Sequence, residues 1–517
     1  MTSSTTVPVG PAPLAPADVV AVARHGARVE LTPEAHAVLK ETRARIDELA
    51  ESGDPVYGVS TGFGALAVRH IPAELRAQLQ RSLVRSHAAG SGPEVETEVT
   101  RALMLLRLHT LATGRTGVRP ETAETYAALL NSHLTPVVRE FGSLGCSGDL
   151  APLAHCALAA MGEGEVRDRE GRLLPAGEAL AAAGITPVEL SAKEGLALIN
   201  GTDGMLGMLL LAAADLRTLL RTADLSAAMS VEALLGTDRT FAADLQALRP
   251  HPGQAASAGN LRALLAGSPI VASHRADPDC PIVQDAYSLR CAPQVAGAAR
   301  DTLAHAELVA SRELASAVDN PVVLPDGRVE SNGNFHGAPV AYVLDFLAIA
   351  AADVASMAER RTDRLLDVSR SHGLPPFLAD DPGVDSGHMI AQYTQAALVS
   401  ELKRLAVPAS VDSIPSSAMQ EDHVSMGWSA ARKLRRAVDA LGRVLAIEVL
   451  TAARALELRD PLRPGPATAA VVAELRANGI AGPGPDRHLS PEIEAAVALT
   501  ADGTLLAAAE RETGPLA

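Results

Sequence analysis

The segment GSLGCSGDLAPLAH (142–155) combines a cysteine, a serine and several glycines at a spacing that permits two interpretations. The structural one is a flexible loop in which Ser147 or Asp149 caps the following helix, but a cap does not need three glycines around a Cys-Ser pair. The chemical one is a tight turn in which the amide nitrogen of Gly148 attacks the carbonyl carbon of Cys146, an approach that a side chain would block. Loss of water closes a five-membered ring, and loss of a second water from Ser147 leaves an exocyclic methylidene. The pattern predicts a methylidene-imidazolone (MIO), an electrophile made from the chain without an external cofactor.

Other blocks rich in Gly, Asn, Ser and polar residues recur along the chain. They are YGVSTGFG (57–64), SHAAGSG (86–92), EGLALINGTDG (194–204), VQDAYSLRCAPQ (283–294), SNGNFHG (331–337) and SSAMQEDHVSMGW (416–428). The chain has only six Phe, five Tyr and one Trp, yet half of these lie in or beside the polar blocks: Tyr57, Phe63, Phe141, Tyr287, Phe335 and Trp428. Large residues can simply anchor loops, but this concentration of scarce aromatics indicates a binding site.

The composition restricts the partners of such a site. The net charge is −16, and an acidic chain repels nucleic acid and anionic membrane surfaces, so neither is expected as a partner. The four cysteines, Cys146, Cys156, Cys280 and Cys291, show no CxxC spacing, which argues against a metal site and against a disulfide framework. A reducing compartment is the natural expectation.

The start of the chain, MTSSTTVPVGPAPLAP (1–16), has neither a basic beginning nor an apolar run, so it is not a secretory signal. We expect residues 1–16 to be a disordered lead-in. The most apolar stretch runs from Met205 to Ala214 and is too short to span a bilayer. These features predict a soluble, cytoplasmic protein.

Helices must position most of the blocks. Apolar residues spaced by alternating steps of three and four form two continuous seams, each of which predicts a long helix. The seams are Val340, Val343, Leu347, Ala350, Val354 and Met357, and then Leu434, Val438, Leu441, Leu445, Val449 and Ala452. A third long apolar helix is expected over about 205–235. Hairpins are predicted at 321–331 and 164–176. Strands and helices do not alternate, so the fold class is mainly α: a long-helix bundle with a few short hairpins. We predict a single helical domain over 17–517, with a loop-rich active-site part to about residue 200 and the central bundle after it.

From Tyr57 through Trp428, the blocks and their order resemble the histidine and aromatic amino acid ammonia-lyase family, and GSLGCSGDLAPLAH is highly specific for it. The resemblance implies an ammonia-lyase (fumarase/aspartase-like) architecture and elimination of ammonia through MIO, with attachment of either the amine or the aromatic ring left open. The family's usual triad is Ala-Ser-Gly. Here Cys146 takes the first position, where only a backbone carbonyl enters the ring, so the cysteine should be tolerated.

The resemblance also implies roles for individual residues. Tyr57 resembles the general base that removes the β-proton, which requires a lowered pKa. Asn200 and Gln284 resemble donors to the MIO oxygen or the substrate. Arg290 resembles the clamp for the substrate carboxylate, and Tyr287 lies on the same face if that stretch is helical. Phe335 resembles a wall of the pocket. Each residue also has a plain structural interpretation, such as a core tyrosine, an Asn-Gly turn or a surface cation.

Substrate choice depends on Ser86-His87 and Glu421. Ser-His resembles the enzymes that act on histidine, whereas relatives acting on phenylalanine have apolar residues there and those acting on tyrosine have His-Leu. A buried imidazole needs polar partners, which His87 and Glu421 can supply. We therefore expect L-histidine to be converted to trans-urocanate, the first step of histidine degradation, with a tyrosine or phenylalanine ammonia-lyase or aminomutase as the alternative. Met419 stands where a polar residue, often Asn, is expected.

Other functions are weaker interpretations. Residues 58–62 fit the GxSxG pattern of serine hydrolases, but no strand of a parallel sheet precedes them. Glu421, Asp422 and His423 are adjacent and cannot all face one metal ion. A helical scaffold without chemistry leaves the Cys-Ser-Gly loop unexplained. We also expect a homotetramer that shares its sites between subunits, with Tyr57 coming from a neighbouring subunit.

Overall fold

A computed structural model describes residues 6–51, 61, 71–275 and 283–517, and most of these residues are helical. The chain divides into two compact units. The first consists of Met1–Leu211, Glu307–Leu344 and Pro408–Arg432, and the second of Ala212–Ala306, Asp345–Val407 and Lys433–Ala517. The predicted single domain over 17–517, with a loop-rich part to about residue 200, stays a prediction beside this division. Each unit draws on three separate stretches because the long helices contribute residues to both.

The first unit carries the short helices of the N-terminal half and all the strand pairs of the described chain. Its helices are Pro16–His25, Pro33–Glu51, Arg76–His87, Thr97–Ala112, Pro120–Asn131, Leu150–Ala160, Ala176–Ala182 and Glu194–Ile199, with 3-10 turns at Ala73–Leu75 and Ser417–Met419. Several of these helices begin with proline, whose fixed φ suits the first helical turn and whose missing N–H costs nothing there. The helix Thr97–Ala112 is buried along nearly its whole length and forms the centre of this unit.

The expectation of a disordered lead-in over residues 1–16 is wrong from residue 6 onward. Thr6–Val9 forms a strand that pairs in parallel with Arg28–Leu31, and Val7 and Val9 are buried. The alternation of buried and exposed residues along this strand is that of a half-buried strand. The pairing partner lies about 20 residues further on, so a local composition rich in Ser, Thr and Pro concealed it.

Both predicted hairpins are confirmed. Val322–Val323 pairs antiparallel with Val329–Glu330, and the chain turns between them with Gly327 at φ +81. Glu165–Arg167 pairs antiparallel with Leu173–Pro175 and with Thr135–Pro136. A further antiparallel pair joins Ser91–Glu94 to Arg139–Phe141, directly before the Cys-Ser-Gly loop.

The second unit is a helical core. Its helices are Ala243–Ala247, Pro252–Leu264, Pro269–Arg275, Tyr287–Arg290, Met389–Leu405, Pro466–Ala477, Ser490–Ala501 and Thr504–Thr513, with 3-10 turns at Arg239–Phe241 and Pro376–Leu378. Apolar side chains such as Phe241, Ile270, Leu365 and Leu456 form one buried cluster in this unit. Burial of this kind is the main stabilising contribution to a helical domain.

The three predicted long helices are confirmed, and a fourth is present. They are Asp203–Ala233, Ala292–Leu314, Ala338–Leu366 and Gly427–Glu457. Every residue of the second predicted seam, from Leu434 to Ala452, is buried. By length and composition alone Ala338–Leu366 could cross a membrane, but 61% of its most apolar window is buried, as in the core helix of a soluble protein.

The seam of Gly427–Glu457 gives a direct test of the fold. Leu441 is fully buried, so Leu441→Ala is expected to lower the free energy of unfolding by roughly 2–5 kcal/mol. Leu248 is 83% exposed, and Leu248→Ala should change the same quantity by less than about 0.5 kcal/mol. Urea unfolding followed by circular dichroism measures both, and equal effects would contradict the assigned seam.

Candidate active site

Gly148, the third residue of the triad, is held against Gly201. The amide of Asp149 donates to the carbonyl oxygen of Gly201 at 2.7 Å, and Gly148 and Gly201 form an isolated parallel bridge. Gly148 has φ +76, and a Cβ atom there would lie 1.9 Å from the Gly201 carbonyl oxygen. A left-handed backbone and a close backbone approach each require glycine. The position is thus restricted to glycine by the fold as well as by the proposed cyclisation.

Asp149 fixes the other end of this loop. One carboxylate oxygen accepts from Ser143 Oγ at 2.8 Å and the other from the Met205 amide at 2.9 Å. Met205 lies in the first turn of Asp203–Ala233, where the helix dipole favours a negative charge. Even so, complete burial raises the pKa of Asp149 to about 7, against the lowering effect of these hydrogen bonds. Asp149 is therefore a structural anchor of the loop with a perturbed pKa.

The segment after Glu421 packs onto the front of the loop. Ser425 Oγ donates to the carbonyl oxygen of Gly145 at 2.9 Å. Gly145 has φ +63, and a Cβ atom there would lie 2.2 Å from Ser425 Oγ. Cys146, Val424 and Met426 form a small buried cluster. The loop and the 421–428 block, which are about 280 residues apart in the chain, thus form one structure.

The structure brings together three of the predicted residues: Cys146, Glu421 and His87. Burial, the negative charge of Glu421 and a hydrogen bond to its carboxylate raise the pKa of the Cys146 thiol to about 12, so the thiol is neutral. Glu421 also accepts from Ser416 Oγ at 3.1 Å. Burial lowers the pKa of His87, while the nearby Glu421 charge and a hydrogen bond to Leu83 act in the opposite direction.

His87 occupies the last position of the helix Arg76–His87. Its Nδ1 lies 2.9 Å from the carbonyl oxygen of Leu83 and 3.1 Å from Ser86 Oγ. Because a carbonyl oxygen can only accept, we assign the proton to Nδ1, which leaves Nε2 as an acceptor in the neutral ring. The helix-end role and the recognition role of His87 are therefore compatible: one nitrogen serves each.

Asn200 lies directly before Gly201, at the end of the helix Glu194–Ile199. Its side-chain nitrogen donates to Asn320 O at 3.0 Å and to Asp319 Oδ1 at 3.4 Å, and Arg107 donates to its backbone carbonyl at 3.1 Å. Its Oδ1 is buried and has no hydrogen-bond partner among the described residues. The sequence predicts a donor role for Asn200, whereas this arrangement leaves it an acceptor to offer.

Phe335 is half-buried in a block that also approaches the 421–428 segment. A Cβ atom on Gly337 would lie 2.8 Å from Ser425 Oγ. The rings of His336 and His423 are stacked, with centroids 5.6 Å apart and planes inclined by 2°. The block that contains Phe335 therefore contacts the segment that packs onto the loop, and the role of Phe335 as a pocket wall stays a prediction.

Three other predicted residues belong to the second unit. Tyr287 and Arg290 lie in the helix Tyr287–Arg290, and the Arg290 guanidinium carbon is 4.6 Å above the centroid of the Tyr287 ring. The predicted shared face is thus confirmed as a cation–π contact. Tyr287 is 70% exposed, and Gln284 is exposed. The predicted base Tyr57 and the GxSxG segment 58–62 lie outside the described residues, apart from Thr61.

Comparison with known proteins identifies the family of the chain. Residues 14–477 match the family model for aromatic amino acid lyases. The chain belongs to this family. It is 70% identical to the histidine ammonia-lyase of Streptomyces coelicolor over 511 residues, 99% of each chain. It is 51% identical to the histidine ammonia-lyase of Sorangium cellulosum, covering 98% of this chain and 99% of that one.

Two solved structures illustrate the range within the family. The histidine ammonia-lyase of Trypanosoma cruzi superimposes with a TM-score of 0.90 at 38% identity, covering 98% of this chain and 96% of that one. The tyrosine aminomutase of Streptomyces globisporus superimposes with a TM-score of 0.93 at 38% identity, covering 99% and 100%. The predicted ammonia-lyase architecture is confirmed.

The residues that support the site of this lyase could not be predicted from the sequence. Lys193 directly precedes the block EGLALINGTDG, and Asp319 directly precedes an Asn-Pro pair, but neither position carries a pattern of its own. They meet as a fully buried ion pair at 2.5 Å. The only available signal was a charged residue beside a polar block, which alone does not distinguish a buried residue from an exposed one.

The pKa of Asp149 predicts how stability depends on pH. Between about pH 4 and 7 the folded state keeps a proton that the unfolded state has lost, so stability falls as the pH rises, and it changes no further above about 7. The fall is on the order of 4 kcal/mol at about 1.4 kcal/mol per unit. Asp149→Asn should remove this component. Urea unfolding of both chains from pH 4 to 8 measures it, and parallel curves would contradict the assignment.

Proposed function

We propose that this lyase eliminates ammonia from L-histidine and releases trans-urocanate, the first step of histidine degradation. The observation that carries the proposal is the proximity of Glu421 to both Cys146 and His87, because it joins the triad to the two residues expected to recognise an imidazole. The 70% identity to the histidine ammonia-lyase of Streptomyces coelicolor supports the same substrate.

The geometry of the triad fits the proposed electrophile. A turn with Gly148 in a left-handed conformation, pinned by the 2.7 Å hydrogen bond from Asp149 to Gly201, is the constrained loop that cyclisation requires. Cys146, Ser147 and Gly148 would form the MIO group, which would supply an electrophile for the amine or the ring of the substrate. The fold contributes a rigid loop whose glycine cannot be replaced.

His87 and Glu421 are proposed to bind the imidazole of the substrate. The Nδ1 proton of His87 is engaged by Leu83, so its Nε2 can accept an N–H of the substrate ring. Glu421 can accept a second N–H or stabilise the protonated ring. Because burial lowers the pKa of His87, the ring is in its accepting, neutral form at neutral pH, and substrate recognition should weaken when acid protonates it.

The remaining roles are carried from the family resemblance. Tyr57 acts as the base that removes the β-proton, Arg290 binds the substrate carboxylate, and Gln284 and Tyr287 contribute polar contacts. The 70% exposure of Tyr287 supports a site that a neighbouring subunit completes. A homotetramer would then bring these four residues to the triad, with Tyr57 supplied by another chain.

The second unit offers a surface for such an assembly. Phe346 and Ile349 are each 46% exposed and line an open groove of about 540 Å³ between the helices Ala292–Leu314 and Ala338–Leu366. Exposed apolar patches of this kind typically form protein interfaces. We also propose a cytoplasmic location, supported by the free thiols of Cys146, Cys156 and Cys291.

The alternative is a tyrosine or phenylalanine lyase or aminomutase, which the TM-score of 0.93 with a tyrosine aminomutase favours. That alternative needs an apolar or phenol-binding pocket. A half-buried histidine near a carboxylate favours an imidazole instead.

The reaction and its electrophile can be tested together. The intact mass of the wild-type chain should be lower than the sequence mass by two waters, and L-histidine should yield urocanate. Gly148→Ala should show neither the loss of two waters nor the formation of urocanate, because its Cβ atom would lie 1.9 Å from Gly201 O. Gly184 also has a left-handed φ, +69, but a Cβ atom there would have nothing within 4 Å, so Gly184→Ala is the matched control and should retain both. A wild-type chain of full sequence mass that forms no urocanate would contradict the proposal.

Substrate choice can be tested at His87. His87→Leu removes an acceptor for the imidazole N–H, so kcat/KM for L-histidine should fall by roughly 10- to 100-fold. The values for L-tyrosine and L-phenylalanine should fall less. Arg85 lies on the same helix and pairs with Glu163 at the surface, so Arg85→Leu should leave the preference unchanged. A uniform loss on all three amino acids would argue against a recognition role for His87.

A further inference from the structure

A fully buried ion pair lies behind Asn200. Lys193 Nζ and Asp319 Oδ2 are 2.5 Å apart, and both side chains are completely inaccessible to solvent. Lys193 has φ +69, an uncommon backbone conformation for a residue with a long side chain. Buried pairs rarely add net stability compared with apolar residues of similar size, because desolvation of two charges opposes their attraction. A role in the site therefore explains this pair better than a contribution to stability does.

The second oxygen of Asp319 is directed to Asn200. Asp319 Oδ1 accepts from Asn200 Nδ2 at 3.4 Å and from the Asn320 amide at 2.8 Å. Asn332 Nδ2 donates to the Asp319 backbone carbonyl at 3.0 Å. Asp319 thus connects the block containing Asn200 with the block containing Phe335. Lys193 holds the carboxylate that makes this connection.

These contacts fix which way the Asn200 amide faces. Its nitrogen points to two acceptors, Asp319 Oδ1 and Asn320 O, so rotating the amide would place oxygen against oxygen. The backbone carbonyl of Asn200 is held separately by Arg107, which pairs with Asp203. The Asn200 oxygen is consequently the atom left unpaired, ready to accept an N–H or O–H of a bound ligand.

We propose that Lys193 and Asp319 are positioning residues: they hold the Asn200 amide with its oxygen presented to the reacting groups. The inference rests on the proposed function, since it concerns the same site. Neither residue is proposed to touch the substrate. Both act through Asn200, which lies one residue from the Gly201 carbonyl that receives the Asp149 amide.

A double-mutant cycle tests whether they act through Asn200. The variants are Lys193→Met with Asp319→Asn, which neutralises the pair, Asn200→Ala, and the combination of all three. We expect kcat for L-histidine to fall about 100-fold for the neutral pair, with KM changed less than about threefold, and the triple variant to be no slower than Asn200→Ala alone. Multiplication of the two losses in the triple variant would overturn the proposal.

The control is a second, largely buried ion pair far along the chain, with side-chain exposures of 14% and 1%. Asp224 accepts from Arg300 at 2.5 Å and from Asn260 Nδ2 at 2.8 Å, in the second unit. Arg300→Met with Asp224→Asn should lower the unfolding midpoint but leave kcat unchanged. If this control lowers kcat as much as the neutral Lys193–Asp319 pair, loss of a buried pair is sufficient explanation and the proposal fails.

Two further measurements keep the outcome decisive. If the neutral pair does not fold, Lys193→Arg replaces it, and its smaller loss must likewise disappear in the Asn200→Ala background. Intact mass should show that the neutral pair still loses two waters, whereas loss of cyclisation together with activity would indicate a structural role and overturn the proposal. If the wild type releases ammonia from another amino acid instead of L-histidine, the proposed function fails, and the same cycle with that substrate still tests the positioning.

Discussion

The contact on which the rest of the site depends is the approach of the Gly148 backbone to Gly201. No side chain takes part in it. The 2.7 Å hydrogen bond from the Asp149 amide to Gly201 O and the left-handed φ of Gly148 together determine the turn of the triad loop. Cyclisation requires one backbone amide to reach the carbonyl two residues earlier, so the loop must be constrained before the reaction. The fold supplies that constraint from a neighbouring segment rather than from the loop itself.

That constraint is maintained by buried polar and charged groups. Asp149 ties the loop to the first turn of the helix Asp203–Ala233, and Arg107 pairs with Asp203 at 2.5 Å while also holding the Asn200 carbonyl. Such groups weaken the fold when they are taken alone, since a buried charge forfeits its hydration. Their retention around a single loop is understandable if rigidity at the site matters more than maximal stability, as is common at functional sites.

The elements that depend on local periodicity could be predicted from the sequence. The seams from Val340 and from Leu434 predicted long helices because a spacing of three and four residues has only one regular explanation. Elements whose partner is distant in the chain could not be predicted in this way. The strand Thr6–Val9 is defined by pairing with Arg28–Leu31, and the Lys193–Asp319 pair joins residues 126 positions apart. Neither the strand pairing nor the ion pair is visible in the residues nearby. The local composition therefore indicated disorder at the strand and gave no prediction for the ion pair.

The site itself shows the same division. The triad could be predicted from its local sequence, because cyclisation requires particular residue types at adjacent positions. The role of Cys146 could not, because its backbone carbonyl enters the proposed ring while its thiol faces the segment 421–426. There it packs with Val424 and Met426, and burial, together with the charge of Glu421 and a hydrogen bond to its carboxylate, raises the pKa of the thiol to about 12. The residue whose side chain the ring chemistry does not need is therefore the one that connects the triad to the carboxylate expected to recognise the substrate.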